Sequence, residues 1–441
     1  MLLVLEITQF SQARFVMKAM WFRRWIIRIA SVSGSQTVAQ MLNGIVGFVL
    51  IRTMPKEEFA WFSISTGIAA VLSALNDGGI ASAVIANGGS VWQDRQRFSA
   101  LIEAAFAWLC RTATVSAAVI SPILFWLLYE KGASSVLAGM ACILVVGPQW
   151  IATSTVILGA VNRLHSRVWQ MQAVELTGAF TRAAFTLIPA LLGWVNLTIA
   201  LSAVALSTGA QAILVRRQVR PLLNAAVPPE DQLYFHKRIR GTLNKMYPNA
   251  VFGCIQGQLA LGLLAVFGST GEVADFGAIA RLGFISSFLS APLSSLFAPA
   301  FARLSDPSRL SAIFLRVLST YVVVLSAFIG TVYLKADLIL GIFGIKYYHL
   351  EVELVLMAVS LAVGLVNQIF WCLNMSRGWV RWLWLNIPLT LLSQVVATLL
   401  FDVDSVRGVI WLSFSTSVPA LFLGIAIAAG NIHTHRSIAP K

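Results

Sequence analysis

Residues 216–245, RRQVRPLLNAAVPPEDQLYFHKRIRGTLNK, form the longest polar stretch of the chain. Arg216, Arg217, Arg220, Lys237, Arg238, Arg240 and Lys245 give it seven basic residues, and Pro221, Pro228 and Pro229 interrupt its middle. On both sides the sequence is apolar in blocks of roughly 20 residues, each long enough at about 1.5 Å per residue to cross a hydrocarbon core about 30 Å thick. Six blocks precede the stretch, near residues 30–50, 59–86, 101–128, 134–159, 168–192 and 195–215. Six follow it, near 246–268, 273–301, 311–334, 354–375, 380–401 and 409–429. The expected fold is therefore all-α and polytopic, with about 12 transmembrane helices in two six-helix bundles. The implied units are a basic N-terminal segment (1–28), a first bundle (29–215), a linker (216–245), a second bundle (246–430) and a tail (431–441).

Composition agrees. Of 441 residues 58% are hydrophobic and 11% charged, against about 25% charged in an average soluble protein, so water is not the main solvent. The net charge of +14 is sorted by loop. Of the 32 basic residues, 23 fall on the side of the N-terminus. Only Arg52, Lys56, Lys131, Lys335, Lys346 and Arg407 fall on the other, which by the positive-inside rule places both termini in the cytoplasm. The charge is thus a topology signal and not a nucleic-acid footprint. Cys110, Cys142, Cys254 and Cys372 each lie in a different apolar block, and His165, His236, His349, His433 and His435 lie in loops or the tail. Neither HExxH nor CxxC spacing occurs, so no metal and no cofactor is expected. Most of the 14 tryptophans fall at block ends, as an interfacial aromatic belt does.

The halves also repeat. Glu57-Glu58-Phe59-Ala60-Trp61-Phe62 opens the second block and Ala274-Asp275-Phe276-Gly277-Ala278-Ile279 the eighth, each an acid, Phe and a small residue. Six spans separate the two, so the halves are expected to be parallel repeats about an axis along the membrane normal.

Once the loops and block ends are counted, three arginines and three acids remain: Arg111, Arg182 and Arg281, with Glu103, Glu175 and Asp77. An arginine at mid-membrane costs about 2.5–3.5 kcal/mol on insertion scales, so it is expected to face the bundle interior or a wet cavity. Glu175 and Arg182 are seven apart and Glu103 and Arg111 eight apart, too far for contact within one helix. Two readings stand: the charges pair between helices and hold the bundle together, or the arginines meet an anion. Arg281 favours the second, since the only acid in its block is Asp275 near the surface. Asp77, in Asn76-Asp77-Gly78-Gly79, reads first as a helix break or cap and second as a proton site.

Arg52-Thr53-Met54-Pro55-Lys56-Glu57-Glu58-Phe59-Ala60-Trp61-Phe62, after a first block rich in Ser33, Ser35, Gln36, Gln40 and Asn43, resembles the start of bacterial polysaccharide (O-antigen and exopolysaccharide) flippases. These belong to the multidrug, oligosaccharidyl-lipid and polysaccharide exporter superfamily. Ser290-Ala291-Pro292-Leu293 and Phe297-Ala298-Pro299-Ala300-Phe301 are similar to that family's eighth span. Ala60 stands where the family usually has Gly. The resemblance implies alternating-access transfer of an undecaprenyl-diphosphate-linked oligosaccharide from the inner to the outer leaflet of a bacterial inner membrane. It also implies a cationic central cavity, for which Arg281, Arg182, Arg111 and Arg52 are the candidates. Glu175, Glu103 and Asp77 are candidate coupling or ion-pair acids, with a proton or sodium as coupling ion. Membrane lipids and polysaccharide polymerase or export machinery are further expected partners.

Two alternatives remain. A drug or cation antiporter of the same superfamily usually needs a carboxylate in its first or seventh span, and neither 30–50 nor 246–268 holds one. A membrane-embedded polymerase or ligase tends to carry a long catalytic outer loop, whereas the longest here, near 335–353, has no paired acid and base in a recognisable motif. A transporter rather than an enzyme is expected.

Overall fold

The computed structural model describes residues 38–89, 91–165, 167–223, 228–293, 297, 301, 307–377, 379 and 382–438. The basic segment 1–28, the first residues of the first block and the last three of the tail lie outside them. Among the described residues every regular element is a helix. The first half comprises α1 (Val38–Thr53), α2 (Lys56–Asp77), α3 (Ile80–Gly88), α4 (Arg95–Glu130), α5 (Ser135–Leu164), α6 (Val168–Leu191) and α7 (Leu197–Leu223). The second comprises α8 (Pro229–Phe267), α9 (Thr270–Ile279), α10 (Gly283–Pro292), α11 (Pro307–Leu334), α12 (Ala336–Phe343), α13 (Glu351–Ser376), α14 (Asn386–Leu400) and α15 (Val406–Ile438). Among the described residues seven helices are long and apolar enough to cross a membrane, and Val38–Thr53, Val251–Phe267 and Asn386–Leu400 are shorter apolar helices. Helices suit this solvent because each satisfies its own backbone hydrogen bonds.

Two expected spans are broken. Gly78 and Gly79 take positive φ values of 46° and 101°, ending α2 and starting α3. A Cβ on Gly78 would stand 2.2 Å from Cδ2 of Tyr247, so both backbone angle and space require glycine there. Asp77 accepts from the backbone N–H of Gly79 at 3.3 Å and of Ala81 at 2.9 Å, which makes it the cap of α3. The eighth span is tightened into a 3₁₀ turn at Ala280–Leu282 between α9 and α10. Such turns inside a longer helix often mark a hinge.

The expected linker is mostly helical. Its start continues α7 and its end belongs to α8, which Pro229 opens with Pro228 as the residue before its first turn. Phe235, Ile239 and Leu243, four apart, are buried against the first half, and Asp231 pairs with Arg97 at 3.4 Å. A polar composition hid this apolar stripe.

Buried side chains show how the halves join. At the end that carries Lys56, one apolar core runs through both, from Leu50, Met54 and Phe62 to Ile279, Phe343 and Val406. At the end that carries Arg216 the core divides. Ile80, Leu101, Val161 and Val219 form one cluster, while Phe301, Phe314, Phe370 and Ile427 form another. The halves share one core at one end; at the other their cores are separate except for the start of α8, which packs into the first half's cluster.

Candidate functional site

Arg281 occupies the 3₁₀ turn between α9 and α10 and points into the space between the halves. That space is a cavity of about 390 Å³ lined by Arg281 with Ser63, Thr66, Gln258, Ser360 and Ser413, polar groups from both halves. Arg281 Cζ lies 5.9 Å from the ring centre of Phe59 and 5.6 Å from that of Phe62, so aromatic rings back its charge. Among the described residues no carboxylate stands within ion-pair distance of it.

Arg182 joins it from the other half. Its Nη1 donates to Asn43 Oδ1 at 3.5 Å, and a Cβ built on Gly47 would stand 3.5 Å from Arg281 Cδ. Asn43 and Gly47 are four apart, so α6 and the α9–α10 turn bring both arginines to one stripe of α1. Two like charges inside an apolar bundle are costly, and an anion between them would offset that cost.

The other expected site residues lie elsewhere. Arg52, at the end of α1, is exposed. Arg111 is exposed on α4, with its Cζ 5.3 Å from the Trp108 ring, and the Trp108 indole donates to the His236 carbonyl at 3.2 Å. Burial, with Arg111 and then Arg240 nearby, pushes the His236 imidazole below its usual value. Glu103 accepts from Gln232 at 3.4 Å, and Asp77 is the helix cap described above. Glu175 lines a separate pocket of about 250 Å³ inside the first half, beside Arg163 and Gln211. None of the three acids is paired with Arg111, Arg182 or Arg281 among the described residues.

The sealed end holds a set of polar contacts that sequence reading missed. Lys56 Nζ stands 2.7 Å from Asp275 Oδ1, and His349 Nε2 lies 3.0 Å from Asp275 Oδ2. Lys346, between the ninth and tenth spans, donates to the Met54 carbonyl at the end of α1 at 2.8 Å. Lys131, between the third and fourth, donates to the Gly268 carbonyl at the end of α8. Each half thus sends one lysine to the C-terminal carbonyls of the other half's first helix, where positive charge is favoured. Glu58 accepts from the Leu197 N–H at the start of α7 at 2.7 Å, and Glu272 from the Val406 N–H at the start of α15 at 2.8 Å. These equivalences set the repeat: Glu58 corresponds to Glu272, about one helical turn before the Asp275 that the sequence motif aligned with it.

No family model matches the chain, and no curated relative matches it. Solved structures do. The chain resembles an inward-facing multidrug resistance MATE family transporter of the MOP superfamily with a TM-score of 0.71 and 15% identity, over 91% of this chain and 96% of that one. It resembles the lipid II flippase MurJ in an inward closed conformation with a TM-score of 0.68 and 11% identity, over 91% of this chain and 87% of that one. An outward-facing MATE family structure fits less well, at 0.58 and 13% identity over 93% and 96%. At these identities the likeness is one of fold. The chain has the two-bundle fold of MOP-superfamily transporters.

Proposed function

We propose that this chain is a flippase that moves a prenyl-diphosphate-linked oligosaccharide from the inner to the outer leaflet of a bacterial inner membrane. The observation that carries the reading is the pair Arg281 and Arg182. One guanidinium lines a cavity between the two halves and a second reaches the same stripe of α1, without a carboxylate ion pair for either among the described residues. A diphosphate supplies the missing negative charge, and the Ser, Thr and Gln side chains around the cavity suit sugar hydroxyls, which cost a few kcal/mol each if carried unpaired through hydrocarbon. The likeness to a lipid II flippase supports a lipid-linked cargo.

The units of the transporter are the bundles 29–215 and 246–430, joined through 216–245. With both termini cytoplasmic, the Lys56 end faces outward and the described state is open inward. Glu175, in its own pocket in the first half, is the acid best placed to bind a coupling proton or sodium ion. The antiporter reading is weaker, because the inter-half cavity presents a cation where a cationic drug needs an anion. No step of the cycle makes or breaks a covalent bond.

Deleting the gene and measuring lipid-linked oligosaccharides by mass spectrometry tests this. A complete repeat unit is expected to accumulate on its prenyl diphosphate while surface polysaccharide is lost. Normal levels of both would overturn the proposal.

A further inference from the structure

An apolar groove of about 340 Å³ runs between α2 and α8, the second and seventh spans, and meets the Arg281 cavity. Ile64, Ile68 and Val71 form one wall, Leu259 and Leu263 the other, and Leu127 of α4 closes it. Among the described residues no charged side chain lines it, and the one polar lining side chain is Gln258. Gly67, Gln258 and Leu261 belong to both spaces, so groove and cavity share a wall. Gly67 keeps that wall thin, since a Cβ there would stand 2.6 Å from Leu261 Cδ2. Ile255 and Val266, also in the groove lining, are 52% and 43% exposed, which opens the groove to the membrane.

The other seam between the halves is filled. Where α1 meets α10, the Phe48 ring stands 6.0 Å from that of Phe284 and stacks on that of Phe343 at 5.4 Å. A Cβ on Gly44 would already touch Phe284 at 3.8 Å.

We infer that the α2–α8 groove holds the prenyl chain of the cargo while its diphosphate lies at Arg281, an assignment that rests on the function proposed above. An amphiphile crossing a membrane needs a polar path and an apolar path that stay in register, because neither end tolerates the other's solvent. A cationic cavity and an uncharged groove that share one wall provide this. The groove holds one chain: at roughly 30 Å³ for a group the size of a water molecule, it has room for on the order of ten methylenes.

Gly262 makes the groove testable. It lines the groove, and nothing stands within 4 Å of a Cβ built on it, so a larger side chain there fills the groove without displacing its walls. The full chain, in nanodiscs of phosphatidylethanolamine and phosphatidylglycerol, is irradiated with a prenyl diphosphate bearing a diazirine in its first few isoprene units. The adducts are mapped by mass spectrometry. Labelling is expected to concentrate on residues 64–71 and 255–266, and to fall at least about fivefold in Gly262→Trp, a change of roughly 1 kcal/mol in occupancy, while Gly262→Ala labels as wild type. Adducts spread evenly over lipid-facing helices, labelling indifferent to Gly262→Trp, or equal labelling by a diazirine-bearing diacyl phosphatidylglycerol would overturn the inference. Failure of the flippase reading is distinct: the groove would label normally, but Arg281→Ala would leave competition by inorganic diphosphate unchanged.

Discussion

Lys56 Nζ lies 2.7 Å from Asp275 Oδ1, an ion pair between the second span of one half and the eighth span of the other. The Asp275 side chain is 7% exposed and that of Lys56 32%, so the carboxylate has given up most of its water to this partner and to His349. Removing one member of such a pair leaves the other charge poorly solvated. Asp275→Asn is therefore expected to shift the closed-to-open ratio of this end about tenfold or more toward open, about 1.4 kcal/mol. Spin-label distances between Glu57 and Lys335 positions read the ratio; an unchanged distribution would show that the pair does not hold the end closed.

The two capping glutamates should behave as equivalents. Glu58 and Glu272 each place a carboxylate on the first N–H groups of the last span of their half. Glu58→Gln and Glu272→Gln keep an acceptor and lose the charge, so each is expected to cost about 1 kcal/mol, and the double variant about their sum. Thermal unfolding in detergent measures this. A large effect from one and none from the other would contradict the repeat drawn between them.

Gly277 allows α9 to touch α2. A Cβ there would meet Ser63 Oγ at 2.3 Å and Ser63 Cβ at 2.9 Å. Gly277→Ala is expected to force the halves apart at the sealed end and raise cysteine accessibility of the Arg281 cavity from that side. Adding Ser63→Gly should restore closure, at about 1 kcal/mol for a glycine within a helix. Failure of the second change to rescue the first would mean that this contact does not limit closure.

His236 supplies a pH dependence. Its folded-state pKa is lowered, chiefly by burial and then by Arg111 and Arg240, so the folded chain binds the proton less readily than the unfolded one. Stability at this docking of α8 on α4 is then complete above the ordinary imidazole value of about 6.5 and falls as pH drops from there toward the folded value. His236→Gln should flatten that loss. A loss that persists unchanged in the variant would place its origin elsewhere.

Much of this architecture is legible in the sequence because the bilayer imposes it: apolar block length and a central polar stretch lead to an all-helical bundle of about twelve spans in two halves. The Asn76-Asp77-Gly78-Gly79 break is also legible, since its cap and positive φ values are local chemistry. What the sequence hides is convergence between helices. Arg281 and Arg182 reach one stripe of α1 because Asn43 and Gly47 share a face, whereas Arg111, just as deep in sequence, turns outward beside Trp108. Lys131 and Lys346 looked like ordinary loop charges, because the carbonyls they reach are 137 and 292 residues away.

The most direct measurement is flipping by the purified protein. Proteoliposomes carrying a fluorescent prenyl-diphosphate oligosaccharide are exposed to an impermeant quencher, and the protected fraction is followed with time for wild type, Arg281→Ala and Arg281→Lys. Loss of the guanidinium is expected to slow transfer at least about tenfold, with lysine intermediate because it keeps the charge and loses the fork. Transfer at the wild-type rate in Arg281→Ala would contradict the account.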